Sequence, residues 1–385
     1  MSRLALHGGV PVRRDPLPYG RQSINDADVA AVAEMLRSPL LTTGPHVARF
    51  EALLAERCGV AHAVAVTNGT AALHAAYVAA GLGPGDEVIV PPLTFAATAA
   101  CVMACGARPV FADIDPVRLV LDPQRVAEVV TPRTRFVVAV DFAGHSADYE
   151  ALRAAAGVPV LSDSAHGLGA RRGGVPAQSL VDAATLSFHP VKHITTGEGG
   201  AIVTNDLTLA ERARRFRQHN LSPDPDTGPW AYVIDAPGMN YRLPDINAAL
   251  GVSQLGRLDD FLERRRVLAR RYEHELLRFE TEVERPEADD ESAWHLYPIR
   301  LRGRFSTQRR FVFEALRAEG IGVQLHYAPL HHHPAFAELA AGPEALPVSV
   351  DYGRRALSLP LFPAMTDADQ DDVLLALAKI LEVSA

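Results

Sequence analysis

Residues 62–90 read HAVAVTNGTAALHAAYVAAGLGPGDEVIV, and the order of segments in this stretch predicts the fold class. The apolar pentapeptide HAVAV is typical of a strand, the alanine-rich segment after it of a helix, and DEVIV of a second strand. The same alternation continues to residue 163. Strand–helix–strand units of this length form right-handed crossovers. They predict an α/β protein with a mostly parallel sheet and helices on both of its faces.

The pattern changes after the apolar segment GGAIVTN, which ends at residue 205. Residues 244–278 predict one long helix or two abutting helices. Strand-like segments HLYPIRL and IGVQLHY flank the helical segment TQRRFVFEALRAEG, and Thr366 is the predicted N-cap of a last amphipathic helix. The chain is therefore predicted to form a large domain over residues 1–255 and a smaller C-terminal α+β domain over residues 256–385.

Composition excludes several classes of protein. The chain has 385 residues, 48% of them hydrophobic, and a net charge of -8, which disfavours non-specific nucleic-acid binding. The densest basic run, ERRRVLARRYEHELLR, has helical spacing and is predicted to be the solvated face of a helix. No apolar run predicts a signal peptide or a membrane span. Three cysteines without a Cys-x-x-Cys motif indicate a reduced, cytoplasmic protein without a zinc site.

Polar clusters follow several predicted strands, where ligands of open α/β sheets collect. Asn68, Gly69 and Thr70 convert a strand into a helix, and a helix N-terminus can bind a phosphate. Asp163 follows the apolar run VPVL after one serine, at a place where a carboxylate is costly to bury without a partner, unless Asp163 is only a helix cap. Ser187 ends the strand-like segment AATLSF.

Residues 187–206, SFHPVKHITTGEGGAIVTND, place Lys192 in a polar loop between two strand-like segments. A lysine in such a loop is usually a solvated charge, but a partly desolvated lysine can react with an aldehyde. A fixed carboxylate such as Asp163 would keep a pyridine nitrogen protonated, and a ring such as Phe95 would stack on a flat heterocycle. With a phosphate site at a helix N-terminus, these features describe a site for pyridoxal 5′-phosphate.

These motifs resemble the DegT/StrS family of nucleotide-sugar aminotransferases over essentially the whole chain. The resemblance implies an aspartate aminotransferase-like fold of type I, pyridoxal 5′-phosphate as cofactor, and a homodimer with the active site at the subunit interface. The stretch around Lys192 is most similar to the family members of pseudaminic acid biosynthesis. The segments that carry the resemblance are QSINDADVAAV, LLTTGPHVARFE, NGTAALHAA, PGDEVIVPPLTFAAT, DSAHGLGA, GMNYRLPDINAALGVSQL, HLYPIRL and GIGVQLHYAPLH.

The resemblance implies a role for individual residues. Lys192 matches the Schiff-base lysine, and Asp163 matches the aspartate that binds the pyridinium nitrogen. His166 matches a side chain beside the cofactor ring, although an isolated turn histidine would look the same. Phe95 matches the stacking aromatic residue, and Asn240 matches an asparagine that reaches the phosphate from the neighbouring subunit. The residues that match phosphate ligands are Gly69, Thr70 and Ser187.

For the sugar nucleotide, the resemblance implies a pocket that is lined by two segments. The residues that it indicates there are Thr42, Thr43, His326 and Tyr327. The nearby run of histidines at 331–333 is predicted to be a surface loop, because three consecutive side chains cannot all face one metal ion and Pro334 follows at once.

The implied reaction moves an amino group from an amino acid, L-glutamate, to carbon 4 of a UDP-linked 4-keto-6-deoxy-N-acetylhexosamine. An open alternative is an aminotransferase for another nucleotide-linked keto sugar, of the bacillosamine or antibiotic type. A sugar 3-dehydratase on the same fold is disfavoured, since such relatives carry histidine in place of Lys192. A cofactor-binding regulator without turnover would have no need for Lys192 and Asp163 together.

Overall fold

The structure is a computed structural model that describes residues 3–342 and 344–382. Its strands are β1 (His62–Val66), β2 (Glu87–Val90), β3 (Arg108–Phe111), β4 (Thr134–Val140), β5 (Val160–Asp163), β6 (Arg171–Arg172), β7 (Val175–Pro176), β8 (Ala183–Ser187), β9 (Gly200–Thr204), β10 (Leu221–Pro223), β11 (Tyr232–Ile234), β12 (Val283–Glu284), β13 (Tyr297–Leu301) and β14 (Ala356–Leu359). Its helices are α1 (Asp26–Met35), α2 (Pro45–Cys58), α3 (Gly69–Ala79), α4 (Ala97–Ala104), α5 (Pro123–Val129), α6 (Tyr149–Ala156), α7 (Leu207–Phe216), α8 (Asp245–Leu255), α9 (Leu258–Glu275), α10 (Arg309–Ala318), α11 (Pro347–Arg355) and α12 (Asp367–Leu381).

A seven-stranded sheet with the order β1-β9-β8-β5-β4-β2-β3 forms the centre of the larger part of the molecule. The five strands from β8 to β3 pair in parallel, whereas β9 is antiparallel to both β8 and β1. The mostly parallel sheet predicted from the alternation of segments is therefore confirmed. Because parallel strands end at one edge, the residues that follow β2, β4, β5 and β8 meet there.

Both faces of this sheet are buried by helices. Successive side chains of a strand point to opposite faces, so Ala63 and Ala65 of β1 pack with α2, α5, α6 and α8. Val64 and Val66 pack on the other face, with α3, α4 and α7. Within the described residues, no helix combines the length and the apolar character that crossing a bilayer needs.

The three-stranded antiparallel sheet β12-β13-β14 and helices α10 and α12 form a second core with the end of α9. Leu4 and Leu17 of the N-terminal segment belong to this second core. Leu258, Phe261 and Leu262 at the start of α9 pack instead in the core of the large sheet. Because α9 contributes to both cores, the division into residues 1–255 and 256–385 stays a prediction.

Two element predictions for the C-terminal half are confirmed and one is wrong. Residues 244–278 form two abutting helices, and Thr366 caps α12 with a reciprocal capping box. The segment IGVQLHY forms no strand, only isolated bridges from Ile321 to Leu17 and from Gln324 to Ser358. Backbone groups of this segment bond instead to the N-terminal segment: the N–H of Gly322 donates to the carbonyl oxygen of Leu17 at 2.7 Å.

Two surface predictions hold only in part: the basic run lies on a helix with exposed Glu263 and Arg270, and His332 and His333 are exposed, but each run also contains a buried residue. Arg265, within the basic run of α9, is fully buried and donates from Nη1 to the carbonyl oxygens of Trp294, His295 and Leu361 at 2.9–3.2 Å. His331 is buried as well, in a short 3-10 helix, because the adjacent Leu330 packs in the core beside α3 and α4. The local sequence pattern could not predict that Arg265 and His331 are buried, because the segments that cover them are distant in sequence.

Candidate active site

A cavity of about 660 Å³ opens where the strands of the large sheet end. It brings together predicted residues that are far apart in the sequence. Those that line it are Gly69, Thr70, Phe95, Asp163, His166, Ser187, Lys192, His326 and Tyr327. The convergence of these side chains on one cavity follows from the parallel strand order, because β5 and β8 are neighbours and α3 begins beside them.

Asp163 ends β5 and presents a buried carboxylate to the cavity. Thr98 Oγ1 donates to its Oδ2 at 2.7 Å, and the backbone N–H of Ala165 donates to Oδ1 at 3.2 Å. Since the Thr98 hydroxyl donates here, it accepts from Thr94 Oγ1, 2.7 Å away. Burial raises the pKa of Asp163, while these hydrogen bonds and the positive charge of Lys192 oppose that rise.

Lys192 lies in the loop between β8 and β9, and its amine faces the same cavity. Removal from water lowers the pKa of Lys192 to about 8; the Asp163 carboxylate opposes this shift and the Arg265 guanidinium adds to it. A lysine with a lowered pKa exposes more of its neutral, nucleophilic amine near neutral pH. The pair therefore combines a reactive amine with a fixed carboxylate.

The first turn of α3 lies at the cavity wall. Asn68 caps the helix, its side chain accepting from Ala71 N at 2.8 Å, and the first N–H groups of a helix have no partner within it. A Cβ on Gly69 would lie 2.9 Å from Ser187 Cβ. Only glycine therefore lets the helix N-terminus and the Ser187 side chain approach each other this closely. Helix N–H groups and a hydroxyl at one point suit a phosphate.

A wall of buried histidines adjoins the cavity: His166 and His326 line it, and His295 and His193 pack in turn behind His166. His166 Nε2 lies 3.2 Å from Tyr327 Oη, and the centroid of the His166 ring is 4.3 Å from that of His295. Burial lowers the pKa of His166, His193 and His295 well below the usual value, and the charge of Lys192 acts in the same direction. Burial also lowers the pKa of His326 to about 4, so the wall is neutral at neutral pH.

The other four predicted site residues are exposed to solvent. Phe95 lines the cavity but is 60% exposed, with its ring centroid 6.0 Å from that of Tyr327. Thr42, Thr43 and Asn240 are exposed and do not line the cavity of this single chain. Their assigned roles, and those of the residues that do line the cavity, stay predictions.

Sequence reasoning missed several residues around the cavity. Thr98, which donates to Asp163, and Thr94, which bonds to Thr98, lie four positions apart around the start of α4, and this spacing could have indicated that the two threonines meet. Asn68 is predicted only as part of the turn into α3, and its place before an apolar helix could also have identified it as the N-cap. His193 and His295 gave no local signal, since only the fold brings their ring centroids to 5.3 Å.

The chain is similar to known proteins over nearly its whole length. Residues 22–378 match the DegT/DnrJ/EryC1/StrS aminotransferase family. The chain is 40% identical to the spore coat polysaccharide biosynthesis protein SpsC of Bacillus subtilis strain 168, over 97% of this chain and 99% of that protein.

Two solved structures have the same architecture. PseC of Helicobacter pylori, an aminotransferase involved in the biosynthesis of pseudaminic acid, superimposes with a TM-score of 0.89 at 30% identity, over 96% of this chain and 100% of PseC. The putative sugar aminotransferase Spr1654 of Streptococcus pneumoniae, in its pyridoxal phosphate form, gives a TM-score of 0.89 at 27% identity, over 95% and 99%.

The residues of the cavity fit pyridoxal 5′-phosphate. A lysine of lowered pKa, a buried carboxylate and a helix N-terminus with room for an anion all reach the same space. Gly69 keeps that anion site open, because any larger residue would meet Ser187. The chain belongs to the DegT/DnrJ/EryC1/StrS family and is a sugar aminotransferase that uses pyridoxal 5′-phosphate as its cofactor.

Proposed function

We propose that the enzyme transfers an amino group from L-glutamate to carbon 4 of a UDP-linked 4-keto-6-deoxy-N-acetylhexosamine, as in pseudaminic acid biosynthesis. The observation that carries the proposal is the approach of Lys192 and Asp163 to one cavity beside the N-terminus of α3. Pyridoxal phosphate, when bound, supplies the aldehyde carbon that carries the amino group and a ring that accommodates negative charge.

Lys192 has the central role in this proposal. Its amine would hold the cofactor through the aldehyde carbon and, once the donor amino acid has taken that place, would be free to accept and return a proton as a general base and acid. The Asp163 carboxylate holds a proton on the ring nitrogen, and Thr98 fixes the direction of that carboxylate through its 2.7 Å hydrogen bond. The N-terminus of α3 and Ser187 bind the phosphate.

Neutral side chains orient the rest of the site. His166 and Tyr327 form a hydrogen-bonded pair at the cavity, and His166 is assigned to the side of the cofactor ring. Tyr327 and His326 are assigned to the sugar. Because burial keeps these histidines neutral, they add no positive charge that would compete with Lys192 for Asp163.

We propose further that two subunits form the working enzyme, with Asn240 completing the phosphate site of the partner. Asn240 is exposed, and the nearby hairpin of β10 and β11 exposes Trp230, Tyr232 and Ile234. Clustered exposed apolar side chains indicate a protein–protein contact. Both features are expected if a second copy of the chain covers this surface.

Support for the sugar comes from the motifs around Lys192 and from the structural match to PseC, the pseudaminic acid aminotransferase. A second candidate is an aminotransferase for a different nucleotide-linked keto sugar. It is favoured by the higher identity to SpsC, 40% against 30% for PseC, because SpsC is a spore coat polysaccharide protein. Loops around such cavities determine substrate choice and vary between relatives.

The experiment that tests the proposal uses purified enzyme with pyridoxal phosphate, L-glutamate and the two C5 epimers of UDP-2-acetamido-2,6-dideoxy-hexos-4-ulose. Aminated sugar is followed by mass spectrometry. Amination of the β-L-arabino epimer alone supports the pseudaminic acid reaction, whereas amination of the α-D-xylo epimer indicates bacillosamine-type chemistry. If glutamate converts the cofactor to its amine form and neither epimer reacts, the enzyme acts on another nucleotide sugar.

A further inference from the structure

Asp141 is a buried carboxylate that the proposed reaction does not use. It follows β4, and its side chain is fully buried. Three hydroxyl groups donate to it: Tyr149 Oη to Oδ1 at 2.5 Å, Ser162 Oγ to Oδ2 at 2.9 Å and Ser164 Oγ to Oδ2 at 2.5 Å. Burial raises the pKa of Asp141 to about 6, and the bonds from the three hydroxyls oppose that rise.

Two of these hydroxyls belong to the immediate neighbours of Asp163. Side chains alternate along a strand, so Ser162 projects from the opposite face of β5 to Asp163, and Ser164 bonds to the same oxygen of Asp141. Asp163 meets Thr98 of α4 on its own face. The backbone N–H of Asp141 also donates to the carbonyl oxygen of Asp163 at 3.2 Å. The end of β5 is thus held from both faces.

The turn that carries His166 rests on the same carboxylate. Gly167 N donates to Ser164 O at 2.8 Å, which closes the turn. Gln178 Nε2 donates to Ser164 Oγ at 2.8 Å and to Gly167 O at 2.7 Å. A Cβ on Gly167 would lie 2.8 Å from Asp141 Oδ2. No side chain therefore fits between the turn and Asp141.

We infer that Asp141 is a positioning residue, which fixes Asp163 and His166 relative to each other through Ser162, Ser164 and Gly167. These two site residues are only three positions apart, on a strand end and a turn that would otherwise rotate independently. A displacement of about 1 Å in such groups lowers rates by roughly 100-fold. The inference rests on the proposed function, because the exact positions of Asp163 and His166 matter for the rate only if both side chains act on the cofactor.

The test compares Asp141→Asn with Asp113→Asn, a matched change in a second buried carboxylate. Asp113 accepts from Val348 N at 2.8 Å, Ser349 N at 3.0 Å and Ser349 Oγ at 2.6 Å, and it does not line the cavity. Both changes keep the side-chain volume and remove one buried charge. We measure the melting temperature, the dissociation constant of pyridoxal phosphate, the visible spectrum of the bound cofactor, and the rate of its bleaching by L-glutamate.

Both variants are expected to melt at lower temperature than the parent enzyme. Asp141→Asn should also bind pyridoxal phosphate more weakly, show a shifted visible band, and bleach roughly 10- to 100-fold more slowly. Asp113→Asn should keep all three cofactor properties within about twofold, because distant sites contribute independently. Equal cofactor properties in the two variants would overturn the positioning role.

Two further variants keep the outcome interpretable. If Asp141→Asn does not fold, Ser164→Ala takes its place. This change removes the hydrogen bond from Ser164 to Asp141 and leaves those from Tyr149 and Ser162. It should weaken cofactor binding, shift the visible band and slow bleaching as Asp141→Asn would, but to a smaller extent. Asp163→Asn reports on the proposed function itself. If Asp163→Asn leaves cofactor binding and bleaching unchanged, the assigned role of Asp163 fails; if only Asp163→Asn has an effect, the inference about Asp141 fails alone.

Discussion

Lys192 and Asp163 influence each other's protonation across the cavity. Desolvation by the protein disfavours the charged form of each, so the pKa of the lysine falls and that of the aspartate rises. Their mutual attraction opposes both shifts. The chemistry proposed for the site needs this balance, because an amine held fully protonated would not be a nucleophile.

Replacing Lys192 by alanine should abolish turnover and leave the fold intact. The amine is partly buried but forms no ion pair within residues 3–342 and 344–382, so its loss removes few contacts. We expect a rate loss of roughly 100- to 10,000-fold or more from the missing proton transfer alone. Circular dichroism and melting provide the control for folding. Full activity in this variant would contradict the proposed mechanism.

Replacing Asp163 by asparagine should lower the pKa of Lys192 further. Asp163 opposes the downward shift of that pKa to about 8, so removing its charge removes the opposition. When the apoprotein is mixed briefly with pyridoxal phosphate and borohydride, the pH midpoint for trapping the aldehyde on Lys192 should therefore be lower than in the parent protein. Asp113→Asn is the control and should leave the midpoint unchanged. An unchanged or upward-shifted midpoint would contradict the effect assigned to the Asp163 carboxylate.

The junction of α3 with the end of β8 is the element to which the proposed function assigns the phosphate of the cofactor. Its geometry depends on a glycine, because a Cβ on Gly69 would meet Ser187 Cβ at 2.9 Å. A helix N-terminus loses its effect on an anion within about one turn. Small displacements between this helix and this strand should therefore change phosphate affinity directly.

Gly69→Ala should weaken the binding of pyridoxal phosphate, because the added methyl group separates the helix N-terminus from Ser187. Overpacking of this kind also costs about 1–3 kcal/mol of stability. Gly83→Ala is the matched control, since a Cβ at Gly83 meets no atom within 4 Å. Titration of both apoproteins with the cofactor measures the effect. Equal dissociation constants in the two variants would remove Gly69 from the phosphate site.

At the scale of strands and helices, the sequence predicts which residues follow a strand but not which distant segments contact each other. Asp163 and Lys192 are predictable because each follows an apolar strand, and the ends of parallel strands meet. The strand predicted at IGVQLHY fails because the N-terminal segment, about 300 residues away in sequence, takes its hydrogen bonds. Asp141 gave no signal, since its partners Ser162 and Ser164 lie on the neighbouring strand. Local patterns report periodicity, not contacts between distant segments.

The surface of the whole molecule carries the strongest sign of a second subunit. Trp230 is 79% exposed, and Tyr232 and Ile234 on the same hairpin are exposed too. Water contacts these side chains in the single chain, and their burial would favour association. Asn240, a short distance further along the chain, would then lie at the subunit boundary.

Mixing two inactive variants tests whether Asn240 acts in the partner's site. Lys192→Ala destroys the chemistry of its own site, and Asn240→Ala should weaken the phosphate site of the other subunit. A mixed dimer then contains one site with both changes and one with neither. At a limiting concentration of pyridoxal phosphate, unfolding and refolding the variants together should give more activity than either variant has alone. No recovery, with dimers confirmed by sedimentation, would place Asn240 in its own subunit's site or outside both sites.

Helix α9 belongs to two cores at once, and this limits how the molecule can move. Leu258, Phe261 and Leu262 pack beneath the large sheet, while Leu268 and Tyr272 pack in the smaller core. A hinge rotation between the two parts would draw buried side chains of α9 out of one core, at about 1.5–3 kcal/mol for each large one. The helix therefore braces the two parts against wide opening. Substrate entry and product release are left to the loops at the rim of the cavity.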